Sequence, residues 1–132
     1  MKKASLVLTT LLFCAGTASA AEDVVASRFS SFCAEWMKKL EVRERDNRAS
    51  IQWKASPDGV QGEFVGYSRE HACQLKPTDS AKATPIGKIV YRELVYRQAG
   101  KSTAEAMQGA PRPVDATEVT EIFRYSGGKW VY

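Results

Sequence analysis

His71, Cys33 and Cys73 are the residues whose types most directly suggest nucleophilic or metal chemistry, since His71 is the chain's one histidine and stands two residues before Cys73. No hydrolytic triad assembles around them. Ser68 is close in sequence, but there is no Gly-x-Ser-x-Gly elbow, and His-Glu-x-x-His, an EF-hand loop, Gly-x-Gly-x-x-Gly and the phosphate-binding loop are all missing. Zinc ligation by the two cysteines would need carboxylates beside the single imidazole, and their spacing resembles no common zinc site. Neither a metal nor a cofactor is expected.

Carboxylates offer a second chemistry. If the apolar segments around residues 90 and 120 form a hairpin closing symmetrically near Met107, Glu121 falls roughly opposite Glu93, on a face shared with Phe123 and Tyr125. Two carboxyls in an apolar cup have their pKa values driven apart, so one can donate a proton while the other accepts. Glu93 and Glu121 are thus the catalytic candidates of an enzyme reading. The plainer reading, that both are wetted or lie near Arg97, is preferred. Tyr91-Arg92, Tyr96-Arg97 and Arg124-Tyr125 interleave rings with cations, as do surfaces that stack bases, but strands place such neighbours on opposite faces as a matter of course. Trp53, Tyr91, Tyr96, Phe123 and Trp130 are the aromatic candidates for binding a ligand or a protein.

Charge and targeting narrow the setting. The 132 residues carry 19 Lys+Arg against 15 Asp+Glu, and the mean hydropathy of −0.32 excludes a polytopic membrane protein. Residues 1–20 read as a secretory signal peptide: Lys2 and Lys3, then an apolar stretch from Leu6 to Ala15, then Ala18-Ser19-Ala20 before a cut at Ala21. The stretch is too short to span a bilayer. Leu11-Leu12-Phe13-Cys14 resembles a lipoprotein processing site, but Phe13 occupies a position that requires a small residue. Loss of Lys2 and Lys3 brings the net charge from +4 to about +2, which implies no nucleic-acid partner. The expected compartment is oxidising, outside the cytoplasm, with the periplasm of a Gram-negative bacterium the foremost case. There Cys33 and Cys73 are the remaining cysteines and form one disulfide, contributing roughly 4 kcal/mol in the chain-entropy picture.

These side chains need elements to hold them. Val25, Phe29, Phe32, Cys33, Trp36 and Leu40 make one apolar face of a helix from about Asp23 to about Arg45, ending near Asp46-Asn47. From Ser50 the period becomes two: Ile51, Trp53 and Ala55 alternate with Gln52 and Lys54, Ser56-Pro57-Asp58-Gly59 turns the chain, and Val60 to Ser68 returns. Gly62 and Gly66 mark a bulge or the close approach of another segment. His71 to Leu75 is a short extended piece, Lys76 to Pro85 a loop, Ile86 to Gln98 and Thr117 to Ser126 a long hairpin joined through Ala99 to Asp115, and Trp130-Val131-Tyr132 a last short strand after Ser126-Gly127-Gly128-Lys129. Along Ile86–Gln98 neither row of side chains is wholly polar. A second cover is required there, and a loop, a second protomer in a homodimer or a ligand would supply it.

The fold class expected is α+β: one domain over residues 21–132, with an N-terminal helix on a curved antiparallel sheet of four to five strands and one disulfide. This layout resembles the cystatin-like and nuclear-transport-factor-2-like superfamilies, which implies a bent sheet wrapped around the helix, a cone-shaped cavity and dimerisation through the outer face. Cystatin inhibitors of cysteine proteases carry Gln-x-Val-x-Gly where this chain has Gly59-Val60-Gln61-Gly62, so inhibition is not implied. The function expected is that of a small secreted binding module for a protein or small ligand, with a cavity enzyme or a ligand-free structural envelope protein as alternatives.

Overall fold

The computed structural model describes residues 17–76 and 83–132, the side chains of 17–19 excepted, so most of the expected signal segment, including Cys14, lies outside the described residues. The described chain runs α1 (Thr17–Ala49), β1 (Lys54–Ser56), β2 (Gly59–Tyr67), β3 (Ala72–Lys76), β4 (Ile86–Gly100), α2 (Thr103–Gln108), β5 (Arg112–Ser126) and β6 (Lys129–Val131). One long helix packs on an open antiparallel sheet of six strands, in the order β1-β2-β4-β5-β6. β4 carries β5 along one edge and, on the other, β3 beside residues 86–90 and β2 beside residues 93–100. Among the described residues no helix is long and apolar enough to cross a membrane.

α1 starts earlier and ends later than its apolar face suggests. Ala18, Ala20 and Ala21 are strong helix formers, so the helix continues N-terminally through the expected cleavage tripeptide. Its last turn is held from outside: Asn47 Nδ2 donates to the Val65 carbonyl at 2.9 Å, and the Arg48 guanidinium lies 5.8 Å from the centre of the Phe64 ring. Phe29, Cys33, Met37 and Leu40, spaced at three and four, bury against Tyr67, Ile89, Tyr91, Phe123 and Trp130. The disulfide Cys33–Cys73, bridging 40 positions, ties this face to β3.

Two elements exceed what alternation suggested. The stretch from Ala99 to Asp115 contains α2 and the first residues of β5, and α2 begins with a recognisable cap: Ser102 Oγ accepts the Glu105 N–H at 3.3 Å while the Glu105 carboxylate accepts the Lys101 N–H at 2.8 Å. Conversely, Ser50–Trp53 is not strand; Ile51 instead packs over Gly62, where an added Cβ would fall 2.2 Å from it. Gly62 and Gly66 are sites of close approach, as expected, the latter beneath Tyr96 and Glu44.

The mixed character of β4 has its explanation within the chain. In its first half Gly87, Ile89 and Tyr91 are buried, with Phe29 lying directly on Gly87. In its second half the buried residue is Gln98, whose Oε1 accepts from Arg48 Nε at 3.1 Å and whose Nε2 donates to the Gly109 carbonyl at 2.7 Å. The row facing the helices has changed parity, and α2 with the end of α1 supplies the second cover. A strand of 15 residues accumulates enough right-handed twist to rotate its side-chain rows relative to a straight helix, and the register shift between Val95 and Tyr96, opposite Val114 of β5, adds to it.

Replacing Gly87 by alanine would place a Cβ 2.3 Å from the buried Phe29 ring. Gly87→Ala is expected to lower the unfolding free energy by about 1–3 kcal/mol in urea denaturation, with an unchanged m value; wild-type stability would show that the ring has room to move.

Candidate functional site

Register decides which carboxylate meets which partner. β5 lies against β4 with Glu121 opposite Ile89 and Glu93 opposite Thr117, because the hairpin closes through α2 two positions earlier than a symmetric closure at Met107. Glu93 and Glu121 therefore stand four positions apart along β4, about 13 Å at strand rise. The expected acid–base pair does not form.

Glu121 instead receives phenols. The Tyr91 hydroxyl donates to its Oε1 at 3.1 Å, and the Tyr132 hydroxyl donates to its Oε2. Tyr91 arrives diagonally from β4, while Tyr132 follows β6 and lies over Phe123, ring centres 5.4 Å apart. Trp36 of α1 stacks on Tyr132 at 5.8 Å and meets Phe123 edge-on at 4.9 Å. Phe32 adds another edge contact to Phe123 at 4.8 Å. Such pairs are each worth about 0.5–1.5 kcal/mol beyond the area they bury, so this corner of the molecule is firmly built.

The electrostatics follow from that packing. Burial first, then the charge of Glu121 and the hydrogen bond to it, push the Tyr91 phenol well above its ordinary value of 10.0, while the nearby Trp36 indole N–H pulls the other way. That indole N–H is buried without a full hydrogen bond, as is that of Trp130. The Tyr132 phenol is raised too, by its hydrogen bond to Glu121 and by that carboxylate's charge. Both tyrosines are therefore protonated donors at neutral pH. Between them they hold an anionic group in a fixed position.

The aromatic candidates divide by location. Tyr91, Phe123 and Trp130 belong to the core, Trp130 against Phe29 with ring centres 4.6 Å apart. Tyr96 stacks on Phe64 at 5.2 Å on the α2 side of the sheet, and Trp53 is half-buried over Gly62. They do not form one binding surface. Tyr132, whose phenol reaches Glu121, is not among those candidates, although alternation from Trp130 places both on one row. A half-open depression beside this corner is lined by Thr84, Arg124, Tyr125, Ser126 and Val131.

The sheet also has an open edge that alternation along the strands does not reveal. β5 is 15 residues long, yet β6 covers it only from Arg124 to Ser126. The Tyr125 N–H points to the β4 side, donating to the Pro85 carbonyl at 3.1 Å. By alternation the backbone groups of Glu118, Thr120 and Ile122 point the other way, where no described strand meets them. Nearer the start of β5, Pro113 and Asp115 blunt the edge, and Asp115 Oδ1 satisfies the Ala116 N–H at 2.8 Å.

Comparison of the chain with protein-family models, curated proteins and solved structures gave no match in any of the three.

A phenol whose pKa is raised on folding binds its proton more tightly in the folded than in the unfolded state. Its contribution is complete below the ordinary value of 10.0 and is lost as pH rises above it. Unfolding free energy is therefore expected to fall above pH 10.0, and Glu121→Gln, which removes the repelling charge, should make the fall shallower. Equal slopes in alkaline denaturation series of the two proteins would contradict this.

Proposed function

We propose that this chain is a secreted, non-enzymatic binding module that takes an extended segment of a partner protein along the open edge of β5. The observation that carries the reading is the row of outward backbone groups at Glu118, Thr120 and Ile122, beside the anchored carboxylate of Glu121. An added strand would give each of these groups a partner, with a net gain of about 0.5–1.5 kcal/mol per hydrogen bond.

The chemistry of the partner follows from charge. Between Pro113 and Phe123 the chain has Asp115, Glu118 and Glu121 and no Lys or Arg. A segment alternating basic with β-branched residues complements that edge. Glu121 is the natural receptor for one ammonium or guanidinium group, since its position is already set by the two phenols and by Trp36 behind them. Support for secretion comes from the Cys33–Cys73 disulfide together with the leader-like residues 1–20. An aromatic core between helix and sheet favours surface binding over a cavity enzyme.

The test uses a synthetic peptide alternating lysine with valine. Thr120→Pro removes an outward donor without touching the β4 ladder, so the variant should keep wild-type folding yet bind the peptide at least tenfold more weakly by fluorescence anisotropy. In the wild type, bound peptide should protect the amides of Glu118, Thr120 and Ile122 from hydrogen exchange. Unchanged affinity in the variant, or protection elsewhere, would sink the reading.

A further inference from the structure

The sulfurs of Cys33 and Cys73 and a ring nitrogen of His71 lie within 4.8 Å of one another, with Cys33 buried and the other two exposed. His71 Nδ1 contacts the Arg69 carbonyl at 2.8 Å; a carbonyl only accepts, so Nδ1 carries the proton and Nε2 the lone pair. An imidazole held this way, with its second nitrogen engaged by a backbone carbonyl, is arranged as metal-bound histidines usually are. The segment that carries it is anchored as well. Arg69 pairs with Glu41 at 3.2 Å and Glu44 at 3.6 Å on α1, Ser68 Oγ donates to the Glu70 carbonyl at 2.7 Å, and the Ser68 N–H donates to the Arg92 carbonyl at 2.8 Å.

We propose that Cys33, His71 and Cys73 constitute a redox-gated site for a thiophilic d10 cation, with zinc as its ligand once the disulfide is reduced. A dithiol reductant supplies two electrons and two protons, breaking the S–S bond to give two thiols and leaving the reductant as its cyclic disulfide. Zinc then binds both sulfurs and Nε2, displacing the two thiol protons to solvent. Two Zn–S bonds of about 2.3 Å need the sulfurs roughly 3.8 Å apart in tetrahedral geometry. β3 can supply that movement, because its strand pairing is confined to five residues of β4. The exposure of His71 and Cys73 gives the ion a path in, and water, in place of the carboxylate expected from the sequence, takes the fourth position. The metal thus takes over the disulfide's role as the tie between α1 and β3.

The full chain, reduced with a phosphine that does not compete for metal, would be titrated with cadmium as a spectroscopic stand-in and with zinc. The expected results are a thiolate-to-cadmium charge-transfer band in the reduced protein alone, a rise in the melting temperature of the reduced protein with zinc, and at least tenfold weaker zinc binding in His71→Ala. Cys33→Ser/Cys73→Ser should lack the band. Absence of the band in the reduced wild type would overturn the proposal, as would equal zinc affinity in His71→Ala. So would a chain that unfolds on reduction and is not refolded by zinc in circular dichroism.

Discussion

A long twisted strand cannot keep one row of side chains against a straight helix, and the rest of this structure depends on how β4 meets that constraint. Its first half gives Gly87, Ile89 and Tyr91 to α1; its second half gives Gln98 to the end of α1 and to α2. The change of row is what makes α2 necessary. Gln98 Oε1 is served by Arg48 of α1, but its Nε2 finds its acceptors only at the end of α2 and the Gly109 cap, and a buried donor left without one costs about 1–3 kcal/mol. Because β4 also pairs with β2, β3 and β5, its rotation sets the orientation of most of the sheet.

The Glu121 corner is a consequence at one remove. α2 and the extra residue at Val114 shorten and bend the hairpin, so Glu121 is carried past Glu93 to Ile89, beside Tyr91. There the aromatic packing on Phe123 brings Trp36 and Tyr132 to the same place. A carboxylate with both oxygens bonded to neutral phenols is a receptor for a cation more readily than a general base, since proton transfer from either phenol is opposed by the raised pKa values. The same geometry leaves β5 longer than β6 can cover. A fixed anion and a backbone edge that no described strand covers therefore adjoin, and the proposed extended, basic partner rests on that adjacency.

The tie between Cys33 and Cys73 acts on the opposite edge of the sheet. It holds β3 to the helix where hydrophobic contact is slight: Leu75 packs only partly buried against the core, and Cys73 itself is exposed. A cross-link that replaces packing concentrates the stability of that edge in one bond. Its chemistry then matters more than its area, and the histidine beside it is the ground for the proposed zinc site.

The sequence by itself determined the helix face, the Pro57-Asp58 turn and the Gly127-Gly128 turn, and, granted an oxidising setting, the pairing of Cys33 with Cys73. The helix face and the two turns rest on neighbours in the chain, whose spacing and backbone preferences act locally; the disulfide, which bridges 40 positions, follows from there being two cysteines left to pair. The cap at Ser102 and Glu105 is equally local, and Ser-x-x-Glu spacing is the signal in the sequence that marks it. The register of β4 on β5, the parity change and the partners of Glu121 were decided by the tertiary structure alone. They depend on where a hairpin of two strands of 15 residues closes and how far it twists before meeting a helix, and a shift of a few positions changes every pairing along it. The same reason separates Glu93 from Glu121. Alternation along a strand says which residues share a row, but the distance between rows belongs to the assembled sheet.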